Sequence, residues 1–182
     1  AWKENGNPGA SILMDLGSHV IDQALTLFGN PEKVFADIRK TRDNTLIDDY
    51  FDILLYYPDK RVRLKASFFV KEMTPSYVFH GKKGSFLKHR ADIQEDELKL
   101  GKIPNRDNWG TEPEDKTGLL VYNDTVINFP TFQGNYLDFY DDLYNAIVND
   151  KKVPVTAKQA YHTMKVIEAA KDSSEKGCTV DL

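Results

Sequence analysis

The sequence is short of cysteine, of clustered basic residues and of long apolar runs, and each shortage excludes a class of function. Cys178 is the single cysteine, so an internal disulfide is impossible and a reducing compartment, the cytoplasm, is expected. No apolar run approaches the roughly 20 residues of a membrane-spanning helix, and no signal-peptide pattern opens the chain, so a membrane partner is not expected. Lys and Arg number 24 against 28 Asp and Glu, a net charge of −4. The basic residues form no long stripe, which argues against nucleic acid. No G-x-G-x-x-G follows a strand pattern, so this chain alone is not expected to hold a dinucleotide tightly. An initiator Met is also lacking: the sequence opens at Ala1-Trp2-Lys3-Glu4 and turns helical almost at once, which reads as part of a longer protein.

What is there suits one soluble domain. The 182 residues are 41% hydrophobic and 29% charged, enough for a sizeable core. Residues 11–28 follow a helical period. Leu13, Leu16, Val20, Ala24, Leu25, Leu27 and Phe28 fall on the apolar side, and Asp15, Ser18, His19, Asp22 and Thr26 on the polar one. Gly29 stands where a C-terminal cap belongs, with Pro31 beyond it. Strand patterns follow at 34–40, 50–57 and 61–69; the last two are joined by the Pro58-Asp59 turn, with Val62, Leu64, Ala66 and Phe68 alternating against Arg61, Arg63, Lys65 and Ser67. Short strands flank Gly81-Lys82-Lys83-Gly84. Residues 101–118 read as a long polar loop whose Trp109 is predicted to be exposed, as at a contact surface. A hairpin turns at Asn123-Asp124. Two helices close the chain, the second opened by a Thr156/Gln159 capping box and ended by Gly177. Phe132, Tyr136, Phe139, Tyr140 and Tyr144 are predicted to be core. A helix, then hairpins, then helices predicts an α+β fold: an open, predominantly antiparallel sheet with helices packed on one face.

One constellation carries chemistry. Asp15 and His19 are four residues apart on a helix, so their side chains project together, and Asp22 follows three residues later. Carboxylate and imidazole on one face suit proton transfer, since histidine titrates near neutrality and a neighbouring carboxylate fixes its tautomer. The same residues also make an ordinary solvated helix face, and spacing alone favours that plainer reading. One histidine and two aspartates are a weak case for a metal, and none is expected. Gly81 and Gly84 sit between strands, as in a hairpin turn and not a phosphate loop. His80, His89 and His162 have no evident partner in sequence.

The run Gly9-Ala10-Ser11-Ile12-Leu13-Met14-Asp15-Leu16-Gly17-Ser18-His19-Val20-Ile21-Asp22 resembles the Gfo/Idh/MocA oxidoreductases, whose carboxy-terminal domain opens with a D-L-G-x-H-x-I-D motif. The likeness continues through His80-Gly81-Lys82-Lys83-Gly84-Ser85-Phe86 and through the two closing helices. Within the family it is greatest to the NADP-dependent scyllo-inositol dehydrogenase-like members, on Gln94-Glu95 and Asp107-Asn108-Trp109-Gly110. The resemblance implies that residues 1–182 form a single substrate-binding and oligomerisation domain of an NAD(P)-dependent oxidoreductase, the Rossmann domain lying outside this chain. It implies Asp15 and His19 as catalytic residues acting on a polyol or sugar hydroxyl, with NADP or NAD as cofactor. Trp2 and Lys3 fall where a Trp-Arg pair borders the cofactor in relatives; Lys keeps the charge but loses the planar fork. A homo-oligomer formed through the sheet is implied as well, and the isolated chain is expected to be inactive. Two other classes remain in play: a non-catalytic sugar-sensing regulator of the same fold, and a purely structural oligomerisation module.

Overall fold

The computed structural model describes Gly6 and residues 9–182. It divides into two compact units, residues 1–70 with 155–182 and residues 71–154. The expected antiparallel strands and helices are present, and the strands form two four-stranded sheets, one in each unit.

In the first unit a π-helical turn, Leu13–Gly17, runs into helix α1 (Ser18–Phe28), which Gly29 ends at φ 76°. Strands β1 (Lys33–Arg39), β2 (Tyr50–Tyr56) and β3 (Arg61–Ser67) follow as an antiparallel meander. The register sets Val34, Ala36 and Ile38 opposite Leu55, Ile53 and Phe51, and these opposite Val62, Leu64 and Ala66. Because side chains alternate along a strand, one face becomes wholly apolar. Helix α4 (Ala157–Lys176) and α1 pack on that face through Ile21, Ala24, Val166, Ile167 and Ala170. The other face carries Arg61 stacked over Tyr56, Arg63 paired with Asp52, and Lys65 over Tyr50. Strand β8 (Val180–Asp181), which sequence periodicity is too short to reveal, pairs with β1 only at Lys33 and Val34. Beyond it, α4 serves the exposed edge: the N–H groups of Ala36 and Ile38 donate to the Ser173 and Ser174 hydroxyls, both at 2.9 Å. A sheet edge that would otherwise leave buried donors unmatched is thereby closed.

The loop between β1 and β2 is organised by a buried carboxylate. Asp49, with a fully buried side chain, accepts from the Thr41 N–H and hydroxyl (both 2.7 Å) and from the Arg42 N–H (3.0 Å) and Nε (2.9 Å). Next to it, the Asp48 carbonyl accepts from the Ile12 N–H at 3.0 Å, tying this loop to the start of the first helix.

The second unit holds β4 (Tyr77–His80), β5 (Gly84–Lys88), helix α2 (Gln94–Lys99), a 3₁₀ turn (Glu114–Lys116), β6 (Gly118–Tyr122), β7 (Thr125–Phe129) and helix α3 (Tyr136–Val148). Gly81 and Gly84 make the expected hairpin turn, closed by the Gly81 N–H on the Gly84 carbonyl. Asn123 and Asp124 take positive φ (45° and 60°) at the next one, as a tight hairpin requires.

Two expectations are corrected here. Trp109 is 2% exposed, not a surface contact. Its indole N–H donates to Gln94 Oε1 at 2.9 Å, which also accepts the Tyr136 N–H at 2.9 Å, and its carbonyl accepts from Gln133. A polar partner brought from a helix 15 residues upstream makes burial of an indole tolerable within a polar loop. The predicted aromatic core of α3 is also overturned: Phe132, Phe139, Tyr140 and Tyr144 are exposed, and no α3 residue is buried. Helical spacing shows that residues share a face but not that another element covers it.

Two outcomes follow. Burial alone would raise the Asp49 carboxyl, but the hydrogen bonds from Thr41 and Arg42 outweigh it and lower it from 3.8 to about 2. A carboxylate depressed on folding contributes fully above its unfolded value and loses that contribution as pH falls through its folded one. Urea denaturation should therefore show about 2 kcal/mol of stability lost between pH 4 and pH 2, a slope absent from Asp49→Asn, which should itself be less stable by about 3 kcal/mol. In the second unit, Gln94→Leu strips the acceptor from two N–H groups. It should cost about 2–4 kcal/mol and red-shift Trp109 emission measured in a Trp2→Phe background.

Candidate active site

The first helix begins where three restraints meet. Ser11 Oγ accepts from the Met14 N–H at 3.1 Å in the manner of an N-cap, the Ile12 N–H is held by Asp48, and Ile12 and Leu13 are buried. From there the backbone widens into the π-turn, whose hydrogen bonds span one residue more than those of an α-helix. The buried face differs from the predicted apolar one. Leu16 and Leu27 are exposed at 38% and 59%, whereas Ile21, omitted from that face, is fully buried. The stripe lying on the sheet is Leu13, Gly17, Ile21 and Ala24.

Asp15, His19 and Asp22 all stand on the exposed side of this helix. Asp15 lies inside the π-turn and His19 is the second residue of the α-helix after it. The Ser18 hydroxyl donates to the Asp15 carbonyl at 2.9 Å. Asp22 accepts from the Thr163 hydroxyl of α4 at 3.3 Å, which makes it a brace between the two helices. The pair that sequence spacing singled out is thus solvent-accessible on a helix whose reverse side is sealed by the sheet. An accessible carboxylate and imidazole can accept, hold and return a proton at a hydroxyl brought against them.

The remaining histidines are dispersed. His80 Nδ1 is 2.8 Å from the Ser85 hydroxyl across its own hairpin, a partner sequence reading missed, and His162 packs edge-on against Tyr161. Trp2 and Lys3, the residues expected beside a cofactor, lie outside the described residues. Sequence reading also missed the π-turn, Thr163 and the Ser18 bond. Ser18 beside Gly17 is the one signal that could have pointed to the turn, because small and hydroxyl residues accommodate departures from regular helix.

The family described as "Oxidoreductase family, C-terminal alpha/beta domain" matches residues 1–182. The chain belongs to the Gfo/Idh/MocA oxidoreductase family. It is 35% identical over 185 residues to the scyllo-inositol 2-dehydrogenase (NADP(+)) IolW of Bacillus subtilis (strain 168), covering 100% of this chain and 52% of that protein. To the oxidoreductase YdgJ of Escherichia coli (strain K12) it is 34% identical, covering 100% of this chain and 53% of that protein. The solved structure of the oxidoreductase yvaA of Bacillus subtilis superposes with a TM-score of 0.93 at 36% identity, covering 97% of this chain and 52% of that one. The chain spans about half the length of the curated relatives it matches. Among its described residues, no helix is long and apolar enough to cross a membrane.

Within this Gfo/Idh/MocA domain, Gly17 packs against the sheet. A Cβ there would stand 3.0 Å from Leu13 Cδ1 and 3.5 Å from the Phe51 ring. Alanine would gain up to about 1 kcal/mol of helix propensity. Leu13 and Phe51 are both fully buried, and overpacking costs about 1–3 kcal/mol. Gly17→Ala should therefore be less stable than the parent by about 1 kcal/mol, read as a lowered urea midpoint at unchanged m-value.

Proposed function

We infer that this chain is the substrate-facing carboxy-terminal domain of an NAD(P)-dependent oxidoreductase that interconverts a hydroxyl and a ketone on a polyol or sugar of inositol or glucose type. The observation that carries the reading is the exposed Asp15–His19 pair on a helix pinned from behind by the sheet. Its likeness to an NADP-dependent scyllo-inositol dehydrogenase supports the substrate class and the preference for NADP, with NAD the other candidate.

A dinucleotide fits this chain only at its reacting end. No described strand passes through a glycine-rich turn into a helix that could cradle a pyrophosphate, so those contacts belong to residues outside this chain, and Trp2 and Lys3 are proposed to border the cofactor. The chemistry a nicotinamide dinucleotide supplies when bound is hydride exchange at the carbon bearing the hydroxyl. This chain's residues handle the proton. Asp15 accepts a hydrogen bond from the substrate and orients the reacting group. His19 takes the hydroxyl proton as the alcohol is oxidised and returns it on reduction, which requires its ring within about 3 Å of the hydroxyl oxygen. Asp22, engaged with Thr163, steadies the helix from one turn beyond.

The same reading includes a homo-oligomer built through the sheet. The outer face of β2 and β3, with its ladder of Arg61–Tyr56, Arg63–Asp52 and Lys65–Tyr50, suits a polar, aromatic-rich contact. A reducing, cytoplasmic location accords with the exposed Cys178.

The test is made on the full-length protein that contains this chain. His19→Ala should lower kcat for polyol oxidation at least ~100-fold, with dinucleotide affinity and melting temperature unchanged. Turnover within a few-fold of the parent would overturn the reading. The 182-residue chain by itself should bind no dinucleotide tightly and turn over no polyol.

A further inference from the structure

We propose that β7 pairs edge to edge with β7 of a second copy of this chain, antiparallel about a twofold axis at Ile127, so that the two second-unit sheets join into one. This contact is separate from the outer face of β2 and β3. A strand edge carries a row of backbone donors and acceptors, and proteins guard such edges against pairing. The other edges here are guarded. β3 carries Arg61, Arg63 and Lys65. The β1 edge is closed by β8 and by Ser173 and Ser174 of α4. β4, at the far edge of the second sheet, is only four residues long. β7 has none of these protections. Its sequence Thr-Val-Ile-Asn-Phe holds no charge and no proline, and all five residues are exposed, Val126 at 61% and Ile127 at 42%. Four of those five side chains favour extended backbone, so the strand is formed and lacks only a neighbour on one side.

The hairpin fixes which of its backbone groups face outward. The two-residue turn at Asn123-Asp124 makes Tyr122 and Thr125 a hydrogen-bonded pair, and such pairs alternate along the ladder. Thr125, Ile127 and Phe129 therefore direct their N–H and C=O groups to β6. Val126 and Asn128 direct theirs away from it, where no described residue meets them. A strand pairing there has to present backbone groups two residues apart and side chains without charge. β7 does so itself. Turned about Ile127, each copy's Val126 exchanges N–H and C=O bonds with the other's Asn128. Ile127 then stands opposite its own counterpart, on the same face as Phe129 and Leu120.

Charge and closure decide the occupant. β3 offered to this edge would bring three cations among apolar side chains, with no carboxylate on β7 to meet them. β4 set against β7 would leave one edge of each kind open again, a chain of copies without end. β7 against β7 consumes both edges and closes as a twofold pair.

The test uses the full-length protein that contains this chain, with Cys178 and any other cysteine replaced by serine for cross-linking. Ile127→Cys should give a disulfide-linked dimer on mild oxidation, because counterpart Cα atoms at a non-hydrogen-bonded pair lie about 4.5 Å apart. Thr125→Cys, whose counterparts are about 13 Å apart in this register, should not. Ile127→Lys sets like charges across the axis, and Val126→Pro removes an outward donor while sparing the β6 ladder. Each should lower the mass measured by light scattering two-fold, with circular dichroism unchanged. Should Ile127→Lys fail to fold, Val126→Pro and the cross-link decide the matter. A monomeric parent, folded variants that keep the parent's mass, or Ile127→Cys cross-linking no better than Thr125→Cys each overturns the proposal. Arg63→Glu distinguishes the two contacts: it should break the one on the outer face and leave the Ile127→Cys cross-link forming.

Discussion

Everything distinctive about the candidate site depends on the burial of one side of the first helix. Leu13 and Ile21 are completely withdrawn from water against Phe51, Ile53 and Leu55 of the sheet and Ile167 of the last helix. Full burial of such side chains contributes about 1.5–3 kcal/mol each, and close packing leaves the helix no freedom to roll. Asp15 and His19 on the opposite side inherit that rigidity without themselves being buried. Chemistry requires groups that are accessible yet held in one bearing, and an amphipathic helix seated on a sheet supplies both.

Around this apolar seat, buried polar groups do the joining. Asp49 gathers the loop from Thr41 and Arg42, and the adjoining Asp48 carbonyl anchors the helix start. Ser173 and Ser174 dock the last helix onto the edge of β1. In the second unit, Gln94 links Trp109 to the start of α3, and the Lys88 ammonium meets Glu112 and the carbonyls of His89 and Lys116. Among the described residues, no buried side-chain nitrogen or oxygen lacks a partner. Each of these groups would destabilise the fold if left unmatched, so each also specifies one arrangement of its loop.

Much of this architecture was legible in the residues. The strict alternation of Arg61 to Ser67 gave a strand with one apolar face, although Phe68, expected to extend that face, lies beyond the strand and is exposed; the Thr156/Gln159 pair gave a capping box, and Gly177 gave the helix end, at φ 64°. Asn123-Asp124 marked a hairpin, and the D-L-G-x-H-x-I-D run marked the family and the acid–imidazole pair. Helix α2 escaped notice; its N-cap position is Ile93, and the local signal is the turn in which Asp92 accepts the Gln94 N–H at 3.1 Å. The exposure of the α3 aromatics, the burial of Trp109 and the bulge at residues 13–17 were not legible at all.

The amino-acid sequence alone was sufficient for the order of the hairpins, the first helix and the two closing helices, and for the presence of a carboxylate and an imidazole on one helical stripe. These depend on interactions spanning a few residues: caps, turns and the alternation of polar with apolar side chains. The bearing of that stripe was settled in three dimensions. Which of its residues meet the sheet was decided by the Asp48 carbonyl, which holds the start of the helix, and by the strands beneath Ile21. Likewise Trp109 is buried because Gln94 reaches it. Both outcomes require partners distant along the chain, which local patterning does not encode.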